Sequence, residues 1–197
     1  MAERVIFHVD ANSAFLSWSA AYRVKVLGEE TDLREVPSVV AGDKASRHSI
    51  ILAKSIPAKK YGIQTGEPLF QALEKCPELV VIQPDYGLYV QASRHFVDIL
   101  RQFSPQVEQY SIDEAWVDMT GTQRLWGSPR LAAELMRRRI NEELGFTVNI
   151  GISSNKLLAK MAGDFEKPNK VHTLFPEEMG AKFFPLPVRD LFLVGAK

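Results

Sequence analysis

The pattern of hydrophobic and polar positions predicts a chain of alternating strands and helices. Val5–Val9 is a short apolar run typical of a buried strand, and it ends at Asp10. In the range 86–103, apolar residues recur at i, i+3, i+4 and i+7, which predicts an amphipathic helix. A third strand-like run contains two adjacent acids, Asp113 and Glu114. This interruption is the most unusual feature of the pattern, because acids are rare within apolar strands.

The remaining elements follow from the same periodicities and from Gly, Pro and capping residues. A helix capped by Asn12 or Ser13, with Phe15, Tyr22 and Val26 on its apolar side, is expected to end near Gly28. Further strands are predicted at 36–41, 49–53, 79–82, 146–152 and 171–175, and further helices at 54–62, 68–77, 129–145 and 153–165.

This order of elements predicts the fold class. From residue 107 onwards it reads strand, strand, helix, strand, helix, strand. The first strand and the 86–103 helix complete an α+β, ferredoxin-like (split βαβ) unit. We expect this domain to comprise residues 1–18 and 85–175, with a small αβ insertion at 19–84. Residues 176–197 are expected to begin a further, helical domain that the chain cuts short.

Composition narrows the class of protein. The 197 residues are 46% hydrophobic and 24% charged, which is enough for a sizeable core, and the formal net charge of zero does not indicate a nucleic-acid binder. The lone Cys76 and the scattered histidines exclude an internal disulfide and a zinc-binding spacing. Without an apolar run of about 20 residues or a leader, the chain is expected to be soluble, outside the membrane and cytoplasmic.

The acidic pair suggests two explanations. Because like charges repel in a partly buried site, Asp113 and Glu114 favour a cationic partner, and Mg²⁺ with a nucleotide phosphate is the simplest. A ferredoxin-like sheet would also bring Asp10 to this edge, and three carboxylates suit two-metal phosphoryl transfer. Alternatively, Asp113 and Glu114 form a hairpin tip in water, and Asp10 is a helix N-cap.

Four motifs together carry a resemblance to a known family. They are Val9–Phe15 (VDANSAF), Ser111–Ala115 (SIDEA), Gly151–Lys160 (GISSNKLLAK) and Lys167–Asn169 (KPN). In this order and spacing the chain resembles the Y-family translesion DNA polymerases, close to their DNA polymerase IV branch, over residues 1–197. The resemblance implies that the main domain is the palm, the insertion the fingers, and the end of the chain the start of the thumb.

The resemblance also implies a metal site. Asp10 and Asp113 would bridge two Mg²⁺ ions, for which Mn²⁺ could substitute. Glu114 would hold the catalytic ion, and the carbonyl of Ala11 would complete the nucleotide-side shell.

The nucleotide-binding residues implied by the family include departures from its pattern. Phe15 would be the steric gate against a ribose 2′-OH, and Lys167 would reach the triphosphate. From the residues alone, Phe15 can also be a core aromatic and Lys167 a solvated turn lysine. In the fingers Ser55 is kept, but Ile56 replaces a tyrosine that can donate a hydrogen bond. Lys59 replaces an arginine and so lacks its bidentate fork.

The implied activity is a template-directed, low-fidelity DNA polymerase, a nucleotidyltransferase that acts on primer-template DNA and dNTPs. A monomer is expected, a sliding clamp would bind through a region beyond residue 197, and this fragment alone would be weakly active or inactive. Either triphosphate binding would be weaker, or Lys54, Lys60 or Arg47 would compensate for the altered fingers. Lys170 stands where the family commonly has glycine. Two alternatives stay open: a catalytically silent binding or regulatory relative, and a nucleotidyl cyclase, whose Gly-Gly-Asp/Glu-Glu-Phe turn is not found around Asp113.

Overall fold

The computed structural model describes residues 4–43, 46 and 48–194. The strands are β1 (Ile6–Ala11), β2 (Ser38–Ala41), β3 (Ile51–Lys54), β4 (Val80–Ile82), β5 (Val107–Gln109), β6 (Glu114–Asp118), β7 (Val148–Ser153) and β8 (Val171–Thr173). The helices are α1 (Ala14–Lys25), α2 (Ile56–Lys60), α3 (Leu69–Lys75), α4 (Tyr86–Phe103), α5 (Gln123–Trp126), α6 (Pro129–Leu144), α7 (Lys156–Gly163) and α8 (Met179–Lys182), with 3₁₀ turns at Pro176–Glu178 and Val188–Asp190.

The first compact unit, residues 1–12 and 93–197, contains a five-stranded sheet of order β5-β6-β1-β7-β8. Strand β1 lies in the middle and is antiparallel to both neighbours, β6 and β7. Two βαβ units, β1-α4-β5 and β6-α6-β7, are therefore interleaved, and β8 extends the sheet parallel to β7. This confirms the predicted α+β, ferredoxin-like class.

Helix α6 illustrates why the sequence sets these boundaries. Ser128 accepts a hydrogen bond from the Leu131 N–H as the N-cap, and Pro129 occupies the first helical position. Gly145 ends the helix with a φ of 79°, a conformation that favours glycine. The buried side of α6 carries Met136 and Ile140, as its helical periodicity predicts.

Helix α7 packs unusually closely against the sheet. A Cβ atom added to Gly151 of β7 would lie 1.9 Å from the Ala159 carbonyl oxygen and 2.4 Å from the Gly163 nitrogen. The start of α7 is held by Trp116, whose indole N–H donates to the Lys156 carbonyl at 3.1 Å. The sheet face that carries Gly151 is thus the face that α7 covers.

The second compact unit, residues 13–92, has its own three-stranded sheet of order β3-β2-β4. Strand β2 is antiparallel to β3 and parallel to β4. Two buried apolar clusters stabilise this unit, one around Ile51 and Leu69 and the other around Leu16 and Val40. The unit therefore has a core of its own, as expected for an independent insertion.

Some local expectations were wrong. Ser13 precedes α1 in a left-handed conformation and makes no side-chain cap. The apolar side predicted for α1 is also displaced, since Tyr22 is exposed and Leu16 and Trp18 are buried. Helix α5 was not predicted, because four residues carry too little periodicity.

The compact units give boundaries for comparison with the predicted domains. The insertion unit runs from residue 13 to 92, so it takes in all of α1 and the first turns of α4. Residues beyond 175 belong to the first unit, where Phe183, Leu186 and Phe192 pack on α7. The assignment of palm, fingers and thumb stays a prediction, and residues 195–197 of the expected further domain lie outside the described residues.

Candidate active site

A row of three polar residues crosses the sheet on three neighbouring strands. Asp10 of β1 lies directly opposite Glu114 of β6 and directly opposite Asn149 of β7. Directly opposed residues of antiparallel strands point to the same face, with their Cβ atoms about 5 Å apart. The register therefore places the carboxylates of Asp10 and Glu114 side by side, although they are 104 positions apart in sequence.

Asp113 and Ala11 meet through the backbone at the end of the same strands. The Ala11 N–H donates to the Asp113 carbonyl at 3.0 Å, which fixes the two chain segments together. The Asp113 carboxylate accepts a hydrogen bond from the Ser111 hydroxyl at 2.6 Å. Asp113 is thus next to the pair in the chain, but its side chain is held by its own loop.

Asp10 faces a lysine from the turn after α7. The Lys167 ammonium contacts Asp10 and lies 2.8 Å from Asp164. Burial raises the pKa of Asp10, and Lys167 only partly opposes this effect. Burial acts to lower the pKa of Lys167, but the charges of Asp10 and Asp164 outweigh it, so this pKa is raised. The lysine is therefore a fixed positive charge at the end of β1.

Glu114 is held by two donors at one oxygen. The His8 imidazole Nε2 lies 3.0 Å and the Lys160 ammonium 2.8 Å from Glu114 Oε2. The hydrogen bond from His8 has the largest effect on the pKa of Glu114, and the contact with Lys160 adds to it. Together they outweigh the effect of burial and lower this pKa to about 2. Glu114 is consequently ionised at neutral pH, with Oε2 committed to protein donors.

The donor set can be tested for its fit to a divalent cation. Mg²⁺ prefers carboxylate oxygens and is commonly held by one or two of them together with phosphate. Asp10 and Glu114 supply that pair on one face, and the lysines beside them show that this edge favours positive charge. Over residues 4–43, 46 and 48–194, no three His, Cys, Asp or Glu side chains are gathered for a metal. The structure thus brings two of the three predicted carboxylates together, while that of Asp113 is held separately.

In the second unit, Phe15 belongs to an aromatic cluster. Its ring stacks on Tyr89 with centroids 4.5 Å apart and planes within 10°. Tyr86 meets Phe15 edge-on at 6.3 Å. Phe15 is only half-buried, so part of the residue remains accessible to solvent.

The basic segment around α2 has one buried and several exposed members. Ser55 is buried, and its hydroxyl donates to the Val36 carbonyl while accepting from the N–H groups of Ser38 and Ala58. Its single proton is therefore used within the unit. Lys59 is exposed, as is the neighbouring Ile56. Other members are the half-buried Lys54, the exposed Lys60, and Arg47, which lies outside the described residues.

Comparison with known proteins adds independent information about this arrangement. The family model described as impB/mucB/samB matches residues 9–164, which is most of the chain. The chain belongs to the impB/mucB/samB family. This confirms the Y-family resemblance predicted from the motifs.

The names of similar curated proteins agree with the membership of this chain in the impB/mucB/samB family. It is 52% identical over 192 residues to "DNA polymerase IV" of Clostridium acetobutylicum, covering 98% of this chain and 48% of that protein. It is 40% identical over 200 residues to "DNA polymerase IV 2" of Bacillus subtilis, covering 100% of this chain and 47% of that protein. The chain therefore spans about half the length of these curated relatives.

Solved structures support the fold. The structure named "Insertion ternary complex of Dbh DNA polymerase" matches with a TM-score of 0.83 at 23% identity, over 98% of this chain and 55% of that one. "Crystal Structure of DinB from Sulfolobus solfataricus" matches with a TM-score of 0.81 at 24% identity, over 98% and 54%. At these identities the likeness concerns the fold alone.

Sequence reasoning missed several residues at this site. His8 lies two positions before Asp10 in β1, so strand alternation already places both side chains on one face. Lys160 is in a quoted motif, but only packing brings it to Glu114. Asn149 was visible as a polar residue within an apolar strand, which is a signal that we did not use.

Lys170 does not strain the backbone where the family commonly has glycine. The left-handed residue of this turn is Asn169, with a φ of 62°, and Lys170 is not among the described residues with positive φ.

Across the described part of the chain, no helix is long and apolar enough to cross a bilayer.

Proposed function

We propose that the chain is the palm and fingers portion of a template-directed DNA polymerase of the translesion, low-fidelity type. The observation that carries this proposal is the register of β1 and β6, which sets Asp10 directly opposite Glu114 on one sheet face. Membership of the impB/mucB/samB family and the names of the curated relatives support it. The palm would be residues 1–18 and 85–175, the fingers 19–84, and the thumb would begin at 176.

Asp10, Asp113, Glu114 and the Ala11 carbonyl would hold two Mg²⁺ ions, with Mn²⁺ as a substitute. When bound, such ions lower the pKa of an attacking hydroxyl and neutralise charge on a leaving pyrophosphate. The depressed pKa of Glu114 keeps its carboxylate ready at neutral pH. Asp113 is half-buried, and the Ser111 hydroxyl bonds only one oxygen of its carboxylate, so the other oxygen could serve a cation.

Nucleotide binding is proposed for Phe15, Ser55, Lys59 and Lys167. Lys167 supplies a point charge for phosphate. Lys59 is an exposed cation without the arginine fork, so its grip on phosphate is expected to be weaker. Ser55 acts by capping α2 and thereby shaping the segment before Lys59.

The Asp113→Asn variant of the full-length protein tests this function. We expect Mg²⁺-dependent primer extension by the wild type and a loss of at least about 10³-fold in the variant, since one ligand carboxylate is removed. The control is Asp98→Asn, which replaces an exposed acid of α4 that pairs with Arg101 on the same helix and should leave the rate unchanged. Equal extension by wild type and Asp113→Asn would contradict the proposal.

Isothermal titration with Mg²⁺ and dNTP separates the alternatives. A catalytically silent relative should give no metal-dependent nucleotide heat. A nucleotidyl cyclase would instead convert an NTP to a cyclic product without primer or template. If Asp113 and Glu114 were merely surface charges, Asp113→Asn would leave metal binding untouched.

The Phe15→Ala variant tests the sugar gate. Removing the ring opens space for a ribose 2′-OH, and we expect the preference for dNTP over rNTP to fall by roughly 10²-fold. Single-nucleotide incorporation with matched dNTP and rNTP measures this ratio. Phe70→Ala, which truncates an exposed phenylalanine of the same unit, is the matched control and should keep the ratio. An unchanged ratio in Phe15→Ala would assign Phe15 to packing with Tyr89 alone.

The remaining proposals concern the whole protein. Primer-template DNA and dNTPs are the proposed partners, together with a sliding clamp. A cytoplasmic monomer is proposed. The 197-residue chain alone is expected to be weakly active or inactive, because it spans about half the length of the curated relatives.

A further inference from the structure

Asn149 is a fully buried amide in the middle of an apolar strand. Burying an amide is costly unless its hydrogen bonds are replaced, so the partners of this side chain matter. Its Nδ2 donates to the carbonyls of Gly163 at 2.9 Å and Glu166 at 2.7 Å. Its Oδ1 accepts from the Lys170 N–H at 3.3 Å and from Asn12 Nδ2 at 3.2 Å. All four hydrogen-bonding positions of the amide are therefore used.

Three of the four partners of Asn149 belong to the end of α7 or to the turn after it. Asn12 continues the network, since its Oδ1 accepts from the Asn169 N–H at 2.9 Å and from the Thr147 hydroxyl at 3.0 Å. Arg137 of α6 donates to the Asn169 side chain at 2.6 Å. The turn 166–170 is thus held at both ends by the side chains of Asn12, just after β1, of Asn149 in β7 and of Arg137 in α6.

Lys167 lies between the two anchored ends of this turn. A lysine side chain has several rotatable bonds, and holding it in place costs up to about 2 kcal/mol of rotamer entropy. Anchoring the turn reduces the motion that remains, because the backbone of Lys167 is fixed relative to β1. The contact of Lys167 with Asp10 therefore depends on the side-chain amides of Asn149 and Asn12, although neither amide bonds the ammonium or the carboxylate.

The chemistry of position 149 favours asparagine specifically. Two carbonyl acceptors and one backbone donor face the same short side chain, which asparagine satisfies with one amide. Aspartate has nearly the same shape but would place an oxygen against the carbonyls of Gly163 and Glu166. Alanine would leave those groups unsatisfied, at about 1–3 kcal/mol for a buried polar group.

We propose that Asn149 and Asn12 are positioning residues, which hold the turn 166–170 so that Lys167 is fixed at Asp10 for binding the triphosphate of a nucleotide. This inference rests on the proposed function for its ligand, a nucleoside triphosphate. Its structural part, the anchoring of the turn, is independent of that function.

A double-mutant cycle in the full-length protein tests the proposal. We expect Asn149→Ala to raise the KM for dNTP roughly 10- to 100-fold with a much smaller change in kcat, because Lys167 is misplaced. In the Lys167→Ala background the same substitution should have no further effect on KM. Independent effects that add would overturn the proposal, because a purely structural role predicts addition.

Hydrogen exchange gives a readout that needs no activity. In Asn149→Ala, the backbone amides of Lys170 and Asn169 should exchange faster. The Lys170 amide loses its acceptor, the Asn149 side chain, directly. The Asn169 amide is affected indirectly, because its acceptor Asn12 loses the hydrogen bond to Asn149. Unchanged exchange would overturn the proposal. If the wild type binds no dNTP while exchange still rises, the proposed function fails and the anchoring stands.

The matched control is Ser128→Ala, which removes the N-cap hydrogen bond at the start of α6 but keeps Asn149, Asn12 and Arg137, the side chains that hold the turn. It should leave the KM for dNTP unchanged. If Asn149→Ala fails to fold, Asn12→Ala carries the same cycle, because it removes the Asn169 contact without creating a gap within β7.

Discussion

The Asp10→Asn variant of the full-length protein should lose at least about 10³-fold of its primer-extension rate, since a proposed ligand of both metal ions is removed. Asp10 lies in the central strand, opposite Glu114 and beside Lys167, so the loss of its charge changes the electrostatic environment of both side chains. The measurement is single-turnover extension with saturating dNTP. A reduction below tenfold would contradict the proposed site.

The same variant should remain folded. Removing the carboxylate relieves the cost of burying a charge, while Lys167 loses one partner but keeps Asp164 at 2.8 Å. Because these effects oppose each other, we expect the free energy of unfolding to change by no more than about 1 kcal/mol. Asp164→Asn is the matched control: it also removes a partner of Lys167, but it leaves Asp10 in place. It should change the rate only a few-fold.

The Gly151→Ala variant should unfold at a temperature about 6–12 °C lower than the wild type. The added methyl group would lie 1.9 Å from the Ala159 carbonyl oxygen and 2.4 Å from the Gly163 nitrogen, and both are backbone atoms. Since a backbone cannot rotate away as a side chain can, α7 must move, and we expect a cost of at least about 3 kcal/mol. Thermal unfolding followed by circular dichroism measures the shift.

The control for this substitution is Gly180→Ala. Gly180 lies in α8, and a methyl group added there would have no atom within 4 Å. Alanine should stabilise the helix by about 0.5–1 kcal/mol. Equal melting temperatures for Gly151→Ala and the wild type would show that α7 is not seated on β7 as described.

Local signals predicted much of the fold because they act over a few residues. The amphipathic repeat of α4 and the capping residues of α6 gave helices whose observed bounds, Tyr86–Phe103 and Pro129–Leu144, match the prediction closely. The buried side of α1 was predicted wrongly, because it depends on tertiary packing and not on local signals. Ser13 makes no cap, and burial of Leu16 and Trp18 follows from tertiary packing.

The candidate site was only partly predictable. Asp10 and Glu114 were expected to meet because a ferredoxin-like order makes their strands neighbours, and the register confirms that meeting. The lysine partners of these acids come from α7 and the turn after it, while His8 comes from β1. Lys160 reaches Glu114 only because Gly151 lets α7 approach the sheet.

By itself, the sequence determined the order of strands and helices, the ferredoxin-like class and the family, because periodicity, caps and motifs are local properties of the chain. Only the tertiary structure decided that Asp10, Glu114 and Asn149 form one row, that Ser111 donates to the Asp113 carboxylate, and that two asparagine amides hold the turn that carries Lys167. The physical reason is that hydrogen-bond register and helix packing join residues far apart in sequence, and no local pattern encodes which of them will meet.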